Sequence, residues 1–553
     1  MPTRLKRTSQ QVLCFFLGAL LLLITGCASY SKKIDEATLA FRDGDYPTAE
    51  QKIQEVLKAE RNSLLRHMEL GTIRHEQGDY RASNEFFEQA YHMAEGYYGT
   101  SIRELMTRAS TNAGMLPYKS EVFEKIYIHY YKMLNYIYMA QSDISPEEKY
   151  QLLDAVRIEG RRAQIILDDH VFRTGTYEEA EEEKEKLLNQ LMGFFAKLNG
   201  EVINPRELTF RDNAFMHYIM AVMYEKYGEL DNARISYERA ANIYDKGYVK
   251  QYGLSPAMVD QARFDAARIL KIQRDQRWQR VGMNIRSQDL KRQLNEYRAG
   301  QNADLLVIQE VDLTSSKGEL NLIMTLNSET NLLEIKPLLI GSREEQIYQL
   351  SWFYYLYAPK GIINAIQRIQ QESYYNPNEV RPKTINMTPL RSVMEEIPGL
   401  IQALETGVRL AVPLFYYDDP PFTSHLEIDG KKIGPMLDAD SIAGLNMANT
   451  LVRAQGELTQ AMAVEALRLS SCLLTGMPSY ACSLTAAATC MADTRSWLTL
   501  PHTIRIQRVA LPEGSYQIQI VNRNNGWLHR DESRTDLHSG EIRIIRKRSV
   551  YKP

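Results

Sequence analysis

A chain of 553 residues is longer than one hydrophobic core normally supports, so two to four domains are expected. Its 44% hydrophobic and 24% charged residues exclude wholesale disorder. A net charge of -3 argues against a nucleic-acid partner, which would require a basic surface.

Arg4, Lys6 and Arg7 precede an apolar core from Val12 to Ile24, and Ile24-Thr25-Gly26-Cys27 ends the stretch with small residues and a cysteine. This resembles a bacterial lipoprotein signal over residues 1–26, which implies acylation of Cys27. An ordinary signal peptide or an N-terminal membrane helix is the alternative, although the apolar core is short for a bilayer of about 30 Å. Ala28 stands where, in such lipoproteins, an aspartate usually marks retention in the inner membrane. The expected location is therefore the outer membrane, with the body of the protein facing the periplasm. Cleavage would remove three basic and no acidic side chains, moving the net charge from -3 to about -6.

From Ile34 onward helical patterning dominates, and an internal repeat appears. Phe41 to Tyr46, with Gly44 and Tyr46, is echoed by His75 to Tyr80, with Gly78 and Tyr80, at an offset of 34 residues. That is the tetratricopeptide period. Gly71, Phe87 and Ala90 fill further template positions, and Tyr218 to Tyr244 supplies a third copy with Gly228, Ala233, Tyr237 and Ala240. Each copy reads as two antiparallel helices joined at a glycine turn, and such units bury their apolar faces only by stacking. The pattern predicts a tetratricopeptide-like α-solenoid over residues 27–298.

Within it, residues 101 to 200 depart from the repeat while staying helical. Ser120 is the expected N-cap of a helix over Glu121 to Gln141, whose Phe123, Tyr127, Tyr130, Tyr131, Leu134 and Tyr138 fall at helical spacing. Packing between helices is the expected role of these tyrosines, and a stacking surface for a glycan or peptide is the alternative. A charged helix over Pro146 to Asp168 and an acidic run from Tyr177 to Lys186 follow. Ala257 to Tyr297 reads as a last helical hairpin.

Near Gly300 the periodicity changes, and residues 299–553 read as a mixed α+β domain. Asp304 to Val311, Glu319 to Leu326 and Leu332 to Leu339 are expected strands. Ile347 to Tyr357 is aromatic and reads as a strand, Gly361 to Ser373 as a short helix, and the proline-containing stretch 374–391 as loop. Gly407 to Tyr417 and His425 to Ile433 are expected to pair around Asp418-Asp419-Pro420-Pro421. A long helix is expected near 441–469. The following stretch carries no charged residue as far as Ala492 and reads as a buried, small-residue packing segment, with membrane contact as the alternative. C-terminal strands close the chain, and Arg543, Arg546, Lys547 and Arg548 read as a charged, protected edge strand.

Cys472, Cys482 and Cys490 lie close together. In an oxidising compartment two of them can pair and leave one over, or all three can remain buried thiols. No spacing resembles a zinc site, so neither metal nor cofactor is expected. Catalytic motifs are absent, and the best triad candidate is Asp493, Ser496 and His502. The simpler reading of Asp493-Thr494-Arg495-Ser496-Trp497 is a turn in which Asp493 pairs with Arg495 while Trp497 packs inside.

Pro117-Tyr118 with Glu121, Tyr130 to Tyr136, Glu159 to Ala163, Ala233 to Glu238, and Asp493, Arg495 and Trp497 with Leu500-Pro501 together resemble uncharacterised bacterial envelope lipoproteins of tetratricopeptide type. Members of that family are often found beside lipoprotein activators of penicillin-binding proteins. The resemblance implies a part in cell-envelope or peptidoglycan assembly and brings no catalytic residues. The expectation is a non-enzymatic scaffold, tethered to the membrane by its N-terminal lipid, that binds envelope proteins or peptide segments. A subunit of a secretion, flagellar or surface-export assembly is the alternative, followed by an envelope hydrolase.

Overall fold

The computed structural model describes residues 30–95, 102–142, 144–168, 188, 190–195, 212–357, 377 and 380–552. The signal segment with Cys27, the acidic run 177–186 and the expected helix 361–373 lie outside them. The Gly-Asp-Tyr motifs close two successive helix pairs, α1 (Tyr30–Asp43) with α2 (Tyr46–Val56) and α3 (Ser63–Glu76) with α4 (Tyr80–Glu95). The mechanism is the same in both. Gly44 and Gly78 each adopt a φ of 80°, which a side chain would resist. Asp45 Oδ1 accepts from Thr48 N and Asp79 Oδ1 from Ala82 N, both at 3.2 Å, so each aspartate caps the second helix. The tyrosine then packs back, Tyr46 on Phe41 and Tyr80 on His75, with ring centroids 5.5 and 5.6 Å apart. Inside the second pair, a Cβ on Gly71 would come within 2.6 Å of the Phe87 ring, so glycine permits the close helix contact.

Two longer helices, α5 excepted (Ile102–Ser110 is short), follow as α6 (Val122–Ala140) and α7 (Pro146–Asp168). The α6 cap is Glu121 rather than Ser120, because Glu121 and Glu124 form a reciprocal capping box. The α6 tyrosines are interior: Tyr130 and Tyr131 donate to Glu310 at 3.0 and 3.1 Å, and Tyr127 donates to Asp440 at 2.6 Å. Gly228, with φ 76°, turns α8 (Ala214–Lys226) into α9 (Leu230–Ile243), where Ala233, Tyr237 and Ala240 are buried. After a short helix over Val249–Tyr252, this half continues among the described residues with α10 (Ala257–Ile272), α11 (Arg277–Met283) and α12 (Gln288–Glu296).

Strands begin at β1 (Ala303–Val311), followed by β2 (Lys317–Asn327) and β3 (Leu332–Leu338), and the molecule is α+β. Residues 343–357 form helix α13 (Arg343–Tyr357), not a strand. Ser342 Oγ accepts from Glu345 N and Glu345 accepts from Ser342 N, a cap that starts the helix. Tyr348, Trp352 and Tyr355 then recur at helical spacing and are buried. The stretch expected to be loop contains β4 (Lys383–Asn386), which pairs with β3. β5 (Val408–Phe415) and β6 (Thr423–Ile428) are both strands but do not pair with each other. β5 joins β2, while β6 joins β7 (Lys431–Pro435) and β10 (Gly514–Asn524). The proline-rich link between them therefore crosses from one sheet to another instead of closing a hairpin.

The remaining elements are β8 (Leu437–Ser441), the long helix α15 (Ile442–Leu474), α16 (Ser479–Thr489), β9 (Thr503–Leu511), β11 (Trp527–Leu537) and β12 (Ile542–Ser549), with the short α14 (Leu400–Thr406) before β5. Among the described residues three four-stranded sheets result, ordered β12-β1-β9-β8, β11-β10-β6-β7 and β4-β3-β2-β5. Cys472 and Cys482 form a disulfide across the α15–α16 turn, and Cys490 is a buried thiol. The charge-free segment is only partly interior, since Leu474, Met477 and Tyr480 are exposed.

One apolar core runs from Phe41 through Tyr131 and Trp497 to Ile544, uniting helices and sheets. β12 is an edge strand, parallel to β1, but its arginines are not solvated. Arg546 and Arg548 are buried against Glu310 of β1 at 2.6 and 2.7 Å, and Arg546 also reaches Glu76 of α3. The edge faces the helices, and Glu310 of β1 together with Glu76 of α3 lets the two arginines be buried. Arg508 of β9 similarly meets Glu225 of α8 and Asp265 of α10 at 3.0 and 3.3 Å.

Candidate functional site

Where α5, the start of α6, β2 and α15 meet, an open cleft of about 110 Å³ forms. Its walls bring together residues that are far apart in sequence: Pro117, Tyr118 and Glu121 from one end of the chain, Asp493 and Arg495 from the other. These are among the residues that carry the family resemblance. Glu121 lines the cleft from the N-cap of α6, where its carboxylate also accepts from the first turn of the helix. Arg453 of α15 holds both of its oxygens at 2.8 and 2.9 Å, and Lys317 Nζ stands 3.5 Å away. Against the burial that would raise it, Arg453 and then Lys317 hold the Glu121 carboxyl at about 2.

Further charges alternate around the rim, Arg108 with Glu457 at 3.4 Å and Lys119 with Glu104 at 2.8 Å. Arg495 forks onto Asp493 at 2.8 and 2.6 Å, reaches Asn62 and the Leu116 carbonyl, and lies over the Tyr118 ring. It thereby ties the extended segment after α16 to the helices. The lining is zwitterionic, suited to gripping a polar chain by several charge-assisted hydrogen bonds.

Behind the cleft the same segment runs through the helical array. Glu69 of α3 accepts the backbone N–H groups of Leu498 and Thr499 at 2.8 and 3.1 Å, and the Thr499 hydroxyl at 2.6 Å. Glu124 of α6 accepts from Trp497 N at 3.2 Å and from the Tyr118 hydroxyl at 2.8 Å. The Trp497 indole donates to Thr72 and packs on Phe87 and Tyr131. No cation pairs with either carboxylate in these contacts, and burial pushes both up to about 7. Residues 497–499 are thus held by α3, α4 and α6 in the interior.

Asp493, Ser496 and His502 do not assemble into a triad. Asp493 is committed to Arg495, the Ser496 hydroxyl is buried with no hydrogen-bond partner among the described residues, and His502 turns its two ring nitrogens to Thr503 Oγ1 and the Asp418 carbonyl, each at 2.8 Å. Among the described residues there is also no cluster of His, Cys, Asp and Glu that could hold a metal. Glu69, Glu124, Lys317 and Arg453 are the residues that sequence reasoning missed. The Glu-x-x-Glu spacing at Glu121 and Glu124 and the lone acid in Met68-Glu69-Leu70 were local signals, but Arg453 and Glu121 are 332 positions apart.

No family model and no curated protein matches the chain. Among solved structures the chain is similar to the crystal structure of BtubC (BKLC) from P. vanneervenii, at 17% identity over 49% of this chain and 91% of that one. The TM-score is 0.19, and a likeness at that score shows neither fold nor function.

Proposed function

We propose that the chain is a lipid-anchored periplasmic scaffold whose tetratricopeptide-type helix pairs form a solenoid, and that it binds an envelope protein or peptide segment during cell-envelope or peptidoglycan assembly. The equivalent Gly-Asp turns of the first two helix pairs support the repeat reading, and the N-terminal segment supports the tether. The single observation that carries the binding reading is the charge-lined cleft in which Pro117-Tyr118, Glu121, Asp493 and Arg495 converge. Because residues 497–499 already pack against α3, α4 and α6, the partner is expected at the cleft. Tethering raises the effective concentration of partners anchored in the same envelope, so a cleft of modest affinity is sufficient.

Affinity capture from detergent-solubilised envelopes tests this. The wild-type chain should recover the same proteins repeatedly, and Arg453→Glu, which turns the cleft mouth against its own Glu121, should lose them. Recovery of the same set by both chains would remove the cleft from the interaction, and no reproducible recovery would defeat the scaffold.

A further inference from the structure

A row of alternating charges lines the cleft, with a cation at each end and one in the middle. Arg108 lies 3.4 Å from Glu457, Glu457 lies 3.5 Å from Arg453, Arg453 holds Glu121 at 2.8 Å, and Glu121 lies 3.5 Å from Lys317. Three cations therefore share two carboxylates. The neighbouring charges are matched among themselves: Arg495 with Asp493 at 2.6 Å, Lys119 with Glu104 at 2.8 Å and Arg468 with Glu465 at 2.7 Å. Glu124, which burial raises to about 7, turns to the Tyr118 hydroxyl and to the backbone N–H groups of Trp497 and Glu121. While Glu124 keeps its proton, the row has a surplus of one positive charge.

Lys317 is the under-bonded member. Its side chain is 9% exposed, and among the described residues its ammonium has one ion-pair partner, Glu121, at 3.5 Å. That carboxylate is already engaged, since it accepts from Arg453 Nη1 at 2.8 and 2.9 Å and from the first turn of α6. An ammonium offers three donors, and a buried donor without a close acceptor is costly, so Lys317 calls for an acceptor from outside the chain. Arg453 has spare capacity too, because its Nη2 reaches Glu457 only at 3.5 Å. Lys317 and Arg453 meet at one oxygen, Oε1 of Glu121, which sets the two cations side by side. A single negative charge balances the row, where a dianion would overshoot. We propose that Lys317, with Arg453 beside it, receives a carboxylate of the partner, supplied by a free C-terminus or by an acidic side chain. This rests on the reading of the cleft as the partner site. A carboxylate presents two oxygens and about four lone-pair sites, enough for an ammonium and a guanidinium N–H together. Such charge-assisted bonds are about twice as strong as neutral ones, so the site discriminates against an amide of the same shape.

The test is a saturation-transfer NMR titration of the full chain in detergent at about pH 6, where Glu124 keeps most of its proton. Two probes carry a carboxylate: N-acetyl-trialanine at its C-terminus and N-acetylglutamic acid α-amide on its side chain. Their fully amidated counterparts are the controls. At least one acid should bind about tenfold tighter than its amide, and the better acid identifies the source of the carboxylate. Lys317→Gln should weaken that acid about tenfold and Lys317→Arg should retain it, both with unchanged circular dichroism. Equal binding of acids and amides by the wild-type chain overturns the inference whether or not the variants fold. Undiminished binding by Lys317→Gln also overturns it, as does inorganic phosphate that displaces the acids at a lower concentration than their own. Envelope capture separates this inference from the reading beneath it. If Arg453→Glu loses the captured proteins while no acid binds, the cleft stands and the carboxylate fails. If the acids bind through Lys317 while capture recovers no reproducible protein, the carboxylate site stands and the scaffold fails.

Discussion

Helix α3 carries two buried acids two turns apart, and the fold treats them in opposite ways. Glu76 meets Arg546 and, with Glu310, forms a cluster of two carboxylates and two guanidiniums that is closed to water. Against the burial that would raise them, the arginines, Arg546 foremost, hold both carboxyls below their ordinary range. Glu69 meets only backbone N–H groups and a hydroxyl in the contacts described above, and burial lifts it to about 7, as it does Glu124 beside it. The lesson is that a buried acceptor is stabilised either by a permanent cation or by a proton. The first choice makes the contact indifferent to pH near neutrality and dependent on a distant strand. The second leaves residues 494–499 held by groups that titrate close to physiological pH.

The largest expected effect comes from breaking the arginine cluster. Arg546→Met leaves Arg548 alone with two buried carboxylates and should cost about 3–5 kcal/mol, read as a fall in the urea midpoint. Removing the centre of the other region comes next: Trp497→Ala opens a cavity against Phe87 and Tyr131 and should cost about 3 kcal/mol in the same assay.

The pH dependence sharpens the contrast. Glu69 and Glu124 have folded pKa values raised from 4.5 to about 7, so their stabilising contribution is full below 4.5 and is lost as pH rises through 7. Glu76 and Glu310 are depressed, and their contribution is present above 4.5 and lost only in acid. His75, lowered to about 4 chiefly by burial, adds stability above 6.5 that is lost as pH falls toward 4. Taking the difference between wild type and the Glu69→Gln/Glu124→Gln variant cancels the last two contributions. Wild type should lose about 2–3 kcal/mol for each carboxyl relative to the variant between pH 5 and pH 8, and equal slopes would show that the two carboxyls ionise normally. The smallest effect belongs to the cleft mouth. Arg453 is 42% exposed but its partner Glu121 only 11%, so Arg453→Ala, which leaves Glu121 with Lys317 alone, should cost about 1–2 kcal/mol while removing partner binding.

Much of the helical half was legible because its determinants are local. Gly44, Asp45 and Tyr46 define a turn, a cap and a packing contact within three residues, and the offset of 34 repeats them. The strands β1, β2 and β3 were legible for the same reason. What escaped were pairings over long separations. The basic alternation of β12 reads as a solvated edge until Glu76, 470 positions away, is placed against it. Gly407 to Tyr417 and His425 to Ile433 look like a hairpin because a turn-rich link joins them, and only β2 and β10 decide otherwise. At the cleft, the Asp493–Arg495 pairing was anticipated from two adjacent positions, whereas Lys317, Arg453 and Glu121 converge from three separate elements. Trp352 and its neighbours were misread as strand because aromatic residues favour sheets and the Ser342 cap was overlooked.

The parallel pairing of β12 with β1 also sets an order of events. Glu76 and Glu310 are synthesised well before the guanidiniums that neutralise them, so the first helices cannot settle into their final core until the last strand has arrived. Assembly therefore depends on contacts of very high sequence separation, which makes it slow. A product interrupted before Arg546 would be left with two stranded charges at its centre, and a protease would find it unfolded.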